Sequence, residues 1–187
     1  AYLSADITPC KFGLLLALFT GMRIGELCAL KWENICIAER TVRVAATLQR
    51  LQENGAAEKG HTHIVIGAPK SGASARIIPL TAQTAALCLQ MQAAPSAYVL
   101  TGSAAYMEPR ALQYRIEKYV RACGLQGVHC HTLRHTFATR AVEVGFEIKS
   151  LSEILGHAST TITLERYVHS SLELKRQNMD KLAAVGL

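Results

Sequence analysis

The sequence predicts an α+β fold, a mainly helical domain with a small three-stranded antiparallel sheet. Apolar residues recur at helical spacing within residues 9–30 and again beyond residue 81. Between these regions, three short segments are rich in β-branched residues and are separated by residues that favour turns. Because short turns join strands into hairpins, we expect antiparallel pairing.

Two helices are predicted at the start of the chain. Thr8 and Pro9 are typical of a helix start, with proline at the first helical position. The apolar residues of positions 12–19 then follow helical spacing. This pattern stops at Gly21, so Arg23 lies just after the first, buried helix. A second, shorter helix is predicted over residues 24–30.

The strand candidates cover residues 41–51, 63–66 and 76–80. The pair at 54–55, Asn-Gly, and the Lys-Ser-Gly step at 70–72 lie between them, where hairpin turns need residues that tolerate positive φ. We therefore expect Lys70 near a hairpin tip.

The rest of the chain is predicted to be helical. Four helices, each ending near a loop or glycine, are expected over residues 81–94, 108–123, 132–144 and 148–155. A short threonine-rich helix should end near Tyr167. A last amphipathic tail helix, with basic residues on its polar side, is expected over about residues 171–187.

Composition excludes several classes of protein. Half of the 187 residues are hydrophobic, 18% are charged and the mean hydropathy is +0.17, which rules out a disordered tail, a collagen-like repeat and an acidic linker. The longest unbroken apolar stretch, residues 12–19, is far shorter than the ~18 residues that cross a bilayer, and no signal peptide precedes it. We expect one soluble, cytoplasmic domain over residues 1–187, with no membrane partner.

The net charge of +6 is concentrated in residues 61–130, which hold six basic and two acidic side chains. This balance is compatible with a nucleic-acid partner but is weak evidence by itself. Six cysteines are scattered through apolar stretches without a CxxC pair. We interpret them as reduced thiols, mostly in the core.

Polar residues are concentrated in four otherwise apolar segments: residues 20–27, 69–72, 131–135 and 155–157, the last followed ten residues later by Tyr167. His131 and Arg134 are three apart and therefore project from one face of a helix. They lie at its N-terminus, where the helix dipole favours an anion. This end of the molecule is suited to a phosphate.

Arg23 and Arg134 are far apart in sequence, yet together they could hold the non-bridging oxygens of one phosphate. A planar guanidinium donates two parallel hydrogen bonds to such an anion and stabilises a pentavalent transition state. A phosphodiester can then be broken without a metal if a hydroxyl attacks in line and an acid protonates the leaving alkoxide. Tyr167 and Lys70 are suited to these two jobs.

Each of these residues also has a plain structural interpretation. A tyrosine such as Tyr167 usually packs in a core, a lysine beside Ser-Gly is usually solvated, and Arg23 with Glu26 can form an ordinary i,i+3 ion pair. His131 and His135 have the spacing of a zinc pair, but the residues between them lack the metalloprotease glutamate and include an arginine that would repel a cation. We expect no metal site.

Five landmarks occur in one order: Arg23 in TGMRIGEL, Lys70 in PKSGASARIIPL, HTLRH at 131–135, LGH at 155–157 and Tyr167 in ERYVH. Together they resemble the catalytic domain of tyrosine recombinases, the phage integrase family, over residues 8–169. The extended segment at residues 52–60 makes the chain similar to integrases of phages and integrative conjugative elements. The resemblance places the small sheet near the active site.

The resemblance implies a role for each matching residue. Tyr167 is the nucleophile, Arg23 and Arg134 form the phosphate clamp, Lys70 is the general acid toward the 5′-hydroxyl, His131 is the general base toward the tyrosine, His157 is a further hydrogen-bond donor to the phosphate, and Glu26 and His135 are supporting residues. The implied reaction gives a 3′-phosphotyrosine and a free 5′-hydroxyl, and proceeds through a Holliday junction. It requires no ATP, metal or other cofactor.

The family frame also implies partners. It predicts double-stranded DNA with recombination sites and a tetrameric synapse in which the tail helix is exchanged between protomers. Upstream core-binding and arm-binding domains are expected to be absent from this chain. Two alternatives remain: a DNA-binding relative that does not cleave, and an enzyme resembling type IB topoisomerases. The complete set of landmarks argues against the first. The short chain and its integrase-like motifs argue against the second.

Overall fold

The computed structural model describes residues 6–52, 62–68 and 75–167, together with positions 176, 179 and 180. Within these ranges the fold is mainly helical with small antiparallel sheets, which confirms the predicted fold class. The helices are α1 (Pro9–Thr20), α2 (Ile24–Ala29), α3 (Ala82–Met91), α4 (Pro109–Ala122), α5 (Cys130–Glu143), α6 (Ile148–Leu155) and α7 (Thr160–Tyr167). The strands are β1 (Ile35–Cys36), β2 (Thr41–Val44), β3 (Thr47–Gln52), β4 (Thr62–Gly67) and β5 (Arg76–Pro79), and a 3₁₀ turn covers Trp32–Asn34.

The strands form two sheets. In the three-stranded sheet, β2 pairs antiparallel with β1 and with β5, from Thr41 opposite Pro79 to Val44 opposite Arg76. In the two-stranded sheet, β3 pairs antiparallel with β4, from Thr47 opposite Gly67 onward. The predicted three-stranded sheet exists, but its third strand is β1 rather than β4.

The prediction of one strand over residues 41–51 was wrong, because the strand is interrupted at positions 45–46 and forms β2 and β3 instead. Val42 and Val44 on β2 pack into one apolar core with Ile78. Leu48 on β3 packs into a different core, with Leu27 of α2. A single straight strand cannot serve both cores, so the chain bends between them.

Helix α5 begins two residues earlier than the predicted start at residue 132. The backbone N–H of His129 donates to Thr132 Oγ1 at 3.3 Å, and the same hydroxyl lies 2.6 Å from His129 Nδ1. This local capping replaces partners that the first turn of a helix lacks. His131 and Arg134 therefore occupy the first two turns of the helix.

Three apolar cores hold the described elements together. The first is centred on Phe12 of α1, which stacks on Trp32 with ring centroids 5.5 Å apart. The second joins α1, α2, β3 and α4, and a smaller third core joins α5, α6 and α7. Four of the six cysteines, Cys10, Cys28, Cys88 and Cys130, are buried in the first two cores, as the sequence predicted.

Gly25 allows α2 to lie directly against β3. A Cβ at this position would lie 2.6 Å from the Leu48 carbonyl oxygen and 2.7 Å from Thr47 Oγ1. Both distances are shorter than any van der Waals contact, so only glycine fits without a shift of the strand or the helix. This close approach fixes the start of α2, where Arg23 is located.

Three predicted features lie outside the described residues, and the first is the Asn-Gly turn at 54–55. Lys70 lies outside the described residues, and so does the predicted tail helix apart from positions 176, 179 and 180. Among the residues that are described, no helix has both the length and the apolar character that a membrane crossing demands.

Candidate active site

A cleft of about 410 Å³ opens beside the N-termini of α2 and α5, and α7 lines another side of it. Its polar lining consists of Arg23, His131, Arg134, His157 and Arg166. Four of these five residues were predicted from the sequence. The fold therefore brings together side chains from three of the four polar segments.

Arg134 is the most buried of the lining cations, with 4% of its surface exposed. Its Nη1 donates to the Gly21 carbonyl at 2.7 Å, and its Nη2 donates to the Leu155 carbonyl at 2.8 Å. Burial, followed by the nearby charge of Arg23, lowers the pKa of Arg134 to about 10. The side chain is thus a fixed cation at neutral pH, held by backbone groups from two distant segments.

Three arginines donate to three consecutive carbonyls at the C-terminal end of α6. Arg76 Nε donates to Ile154 O at 2.5 Å, Arg134 Nη2 to Leu155 O at 2.8 Å, and Arg23 Nη2 to Gly156 O at 2.7 Å. The last carbonyls of a helix lack intrahelical partners, and the helix dipole is negative there. We call Arg23, Arg76 and Arg134 the arginine cluster. Both effects stabilise three cations that would otherwise repel one another.

Gly156 ends α6 in the left-handed conformation, with φ of 65°. Its N–H donates to Glu153 O, so the chain turns sharply at this residue. Side chains with a Cβ are disfavoured in this conformation. The turn presents the Gly156 carbonyl to Arg23 and leads directly to His157.

Glu26 is the buried carboxylate that accompanies the arginine cluster, with 3% of its surface exposed. Arg23 donates to it twice, from its backbone N–H at 2.8 Å and from Nη1 at 2.9 Å. Arg76 donates from both Nη1 and Nη2, each at 2.9 Å. Burial opposes ionisation of Glu26, but hydrogen bonds and charge from Arg76, then from Arg23, outweigh it and hold its pKa below the ordinary value.

His157 is held between the arginine cluster and α7. Its Nε2 lies 2.9 Å from Arg134 Nη2, and its Nδ1 lies 2.8 Å from Thr163 Oγ1. A guanidinium has donors only, so Nε2 must be the acceptor and the proton of the neutral ring must be on Nδ1. Burial and the charges of Arg134 and Arg23 lower the His157 pKa to about 4. The ring is neutral at pH 7.

Tyr167, the last residue of α7, does not line the cleft but packs behind His157. Its ring is stacked parallel to that of His157, with centroids 6.4 Å apart, and tilted against that of His135 at 5.2 Å. Only 5% of the residue is exposed, and it belongs to the third apolar core.

His131 lies on the exposed rim of the cleft, in the first turn of α5. Partial burial, then the charges of Arg134 and Arg166, lower its pKa. A neutral imidazole at this rim can accept a proton near pH 7.

The arrangement as a whole is an anion site. Four arginines (Arg23, Arg76, Arg134 and Arg166) surround or support the cleft, and Glu26 pairs with two of them. Within residues 6–52, 62–68 and 75–167, no three His, Cys, Asp or Glu side chains are grouped as metal ligands. The cleft is chemically suited to a phosphate group flanked by two histidines, with Tyr167 packed against one of them.

Sequence analysis missed three residues of the site: Arg76, Thr163 and Arg166. For Arg76 a signal was present, because residues 76 and 78 share one face of a strand and Ile78 is apolar. An inward arginine needs a buried carboxylate. Thr163 lies four positions before Tyr167 and so shares its helix face, whereas nothing in the pattern distinguishes Arg166.

Comparison with known sequences gives a consistent result. Residues 4–173 match the phage integrase family. A tyrosine recombinase from Pseudothermotoga lettingae is 29% identical over 178 residues, which cover 92% of this chain and 54% of that protein. Tyrosine recombinase XerC from Chlamydia caviae is 31% identical over 120 residues, covering 59% of this chain and 38% of that protein. The chain thus spans about half the length of these relatives, or less.

Solved structures share the fold. The integrase of transposon Tn1549, in complex with a circular intermediate DNA, superimposes with a TM-score of 0.75 at 23% identity, covering 97% of this chain and 62% of that one. The XerA recombinase gives a TM-score of 0.64 at 24% identity, covering 96% and 60%. Since the family match extends over nearly the whole chain, this protein belongs to the phage integrase family.

Proposed function

We propose that this chain is the catalytic domain of a site-specific DNA recombinase or integrase. It cleaves and rejoins DNA strands through a 3′-phosphotyrosine intermediate and a Holliday junction, and so moves a mobile element into or out of a chromosome. The observation that carries this proposal is the convergence of Arg23 and Arg134 on one cleft, with Tyr167 packed beside it. The names of the sequence relatives, which are tyrosine recombinases, support it.

The scissile phosphate would bind between Arg23 and Arg134. The hydrogen bonds of Arg134 to Gly21, Leu155 and His157 engage three of its five N–H groups. The two N–H groups that remain, one on Nε and one on Nη1, can each donate to a phosphate oxygen, and the backbone partners hold the guanidinium in place before the phosphate arrives. Such preorganised donors stabilise the charge that develops in the transition state.

The covalent step would be an in-line attack by the Tyr167 hydroxyl on the phosphorus. The P–O5′ bond breaks as the P–O(Tyr) bond forms, His131 accepts the phenolic proton, and Lys70 donates a proton to the leaving 5′-oxygen. Rejoining is the reverse reaction with a 5′-hydroxyl from a second duplex. Atoms and charge balance without ATP or a metal, because the phosphotyrosine link conserves the bond energy.

His157 and His135 would support these steps. With its Nε2 accepting from Arg134, His157 has no proton at that atom to donate. We assign it first to orienting Arg134; it donates to a phosphate after the ring gains a proton at Nε2. His135 packs against the Tyr167 ring and helps to fix the direction of the hydroxyl.

The proposed partner is double-stranded DNA in the bacterial cytoplasm. Support comes from the net charge of +6 and from the outer face of α4, where Arg110, Tyr114, Arg115 and Lys118 line one surface depression. The Tn1549 integrase neighbours were solved with circular intermediate DNA and with transposon right end DNA. Cations beside an exposed aromatic side chain are suited to a nucleic-acid backbone.

A tetrameric synapse with exchange of the tail helix is the proposed assembly. The amphipathic sequence of residues 171–187 supports it, together with an apolar groove of about 380 Å³ between α1 and α5. Exposed Phe19, Val144 and Phe146 belong to this groove, which we assign as the acceptor for a neighbour's tail. Truncation after Ser170 should abolish synapsis on DNA while monomeric binding persists; full synapsis by the truncated chain would refute the exchange.

The test of function is covalent trapping on nicked duplexes. The chain is incubated in EDTA with a pool of duplexes of randomised sequence, each nicked so that the short 5′-hydroxyl fragment diffuses away after cleavage. Denaturing electrophoresis should show a protein–DNA adduct for the wild type and for Tyr106→Phe, a matched control at an exposed loop tyrosine. Tyr167→Phe should give none.

The outcomes separate the candidate functions. An adduct that persists in Tyr167→Phe would show that the nucleophile is wrong, and DNA binding with no adduct in any variant would favour the relative that does not cleave. Sequencing the trapped DNA identifies the site. Relaxation of supercoiled plasmid without exchange between two such sites would favour the topoisomerase-like alternative.

A further inference from the structure

Arg76 is a buried arginine at the start of β5 that does not line the cleft. Its side chain is 6% exposed. Both Nη atoms donate to Glu26 at 2.9 Å in a bidentate pair, and Nε donates to the Ile154 carbonyl at 2.5 Å. The side chain therefore joins three elements: β5, the first turn of α2, and the C-terminus of α6.

The partner of Arg76 is also the partner of Arg23. Glu26 Oε1 accepts from both arginines, and Glu26 Oε2 accepts from Arg76 Nη2 and from the Arg23 backbone N–H. Arg76 therefore holds the carboxylate in one plane and supplies the charge that keeps it ionised inside the protein. Arg23, whose side chain is 39% exposed, then has a fixed surface against which to bind.

We propose that Arg76 is a positioning residue for Arg23, acting through Glu26. The proposal rests on the proposed function only in that Arg23 is assigned to the phosphate clamp. It deepens that function by adding a support beneath the clamp that reaches neither the DNA nor the reacting atoms. Arg76 is also six residues from Lys70 in the sequence, so the strand that leaves the Lys70 segment is anchored at this point.

A lysine cannot replace Arg76. An ammonium group is a point donor on a flexible stem, whereas the guanidinium donates in two directions at once with fixed geometry. Arg76→Lys keeps the charge that Glu26 needs but loses the bidentate pair and the bond to Ile154. The variant therefore separates positioning from simple charge neutralisation.

The first experiment measures Arg23 directly and needs no cleavage. In nitrogen-detected NMR of the whole chain, restricted rotation of the Arg23 guanidinium should be seen in the wild type, with signals assigned by their loss in Arg23→Lys. Arg76→Lys should release this rotation. Arg43→Lys, at an exposed arginine on the neighbouring strand β2, should leave it unchanged. Unchanged Arg23 rotation in Arg76→Lys would overturn the proposal.

The second experiment is a double-mutant cycle on the rate of adduct formation at saturating DNA. Arg76→Lys should slow adduct formation roughly 10- to 100-fold. The Kd for DNA should change little, because the Arg23 guanidinium is still present but is no longer held in its position. In a Glu26→Gln background the same change should have less than about a threefold effect, since the path through the carboxylate is already broken. Equal effects in both backgrounds would contradict action through Glu26.

The two proposals fail in different ways. Absence of an adduct in the wild type would remove the proposed cleavage, yet the NMR measurement would still decide whether Arg76 positions Arg23. Thermal melting of each variant shows whether the fold is intact. A Tm loss in Arg76→Lys with unchanged Arg23 rotation would mean that Arg76 is structural only.

Discussion

Arg134 Nη2 donates a hydrogen bond to His157 Nε2 at 2.9 Å, and this contact fixes where the histidine carries its proton. The proton must be on Nδ1, which donates to Thr163 Oγ1 at 2.8 Å. Thr163 is fully buried and lies one turn before Tyr167 on α7. A directed chain of hydrogen bonds thus connects the proposed phosphate clamp to the helix that carries the proposed nucleophile.

The first prediction concerns the His157 tautomer. Nitrogen chemical shifts should show a neutral ring protonated on Nδ1 at pH 7, with a pKa of about 4 because burial and then Arg134 and Arg23 disfavour the cation. Thr163→Val removes the acceptor and should reduce the population of this tautomer. Thr161→Val, an exposed threonine on the same helix, is the control. An Nε2-protonated ring in the wild type would disprove the assigned orientation.

The second prediction concerns Arg134→Lys. The ammonium group of lysine cannot reproduce the directed bonds to Gly21 and Leu155 and also donate to phosphate with fixed geometry. We expect the adduct rate to fall by about 10² or more, the scale typical for loss of one preorganised donor in a transition state. Single-turnover kinetics measure it. Arg140→Lys, at an exposed position of α5, should react at the wild-type rate, and an active Arg134→Lys enzyme would exclude Arg134 from the clamp.

The third prediction is a pH-dependent contribution of Glu26 to stability. Its pKa is lowered in the folded state despite burial, since Arg76 and Arg23 favour the carboxylate. Such a group stabilises the fold above its unfolded pKa of ~4.3, and this contribution is lost as pH falls through the folded value. At pH 7, Glu26→Gln should lower the free energy of unfolding by about 3 kcal/mol, which corresponds to a decrease of roughly 6–12 °C in Tm.

Melting curves between pH 7 and pH 3 test this sign. The Tm difference between wild type and Glu26→Gln should narrow below pH ~4. Glu143→Gln is the matched control, because its ion pair with Arg140 is exposed and worth at most about 1 kcal/mol. A constant difference at every pH would show that the loss at Glu26 is not electrostatic.

The fourth prediction concerns Gly25→Ala. Alanine favours a helix by about 1 kcal/mol, but its Cβ would lie 2.6 Å from the Leu48 carbonyl oxygen. We expect a net loss of about 1–3 kcal/mol from overpacking, together with slower adduct formation because the start of α2 moves. Denaturant unfolding measures the first and single-turnover cleavage the second. Gly67→Ala, where the nearest atom is 3.9 Å away, should be tolerated; equal losses at both positions would argue against a steric cause.

Local patterns predicted the helices well because helix formation depends on neighbours three and four positions away. The start of α1 at Pro9 and the whole of α6 match the predictions. The strand over residues 41–51 was predicted without its break, because apolar residues occupy every second position from Val42 to Leu48, on both sides of the break. Which of two cores each half packs against is not a local property.

The sequence by itself determined the family and the order of the helices, and it supplied Arg23, His131, Arg134, His157 and Tyr167 as candidate site residues, because each belongs to a short motif with fixed spacing. Only the tertiary structure assigned the partners of these residues. Arg23 and Gly156 are separated by 133 positions, and Arg134 and Gly21 by 113. Contacts over such separations are set by the packing of whole helices, so the role of the α6 C-terminus and the place of Arg76 beneath the clamp followed from the fold alone.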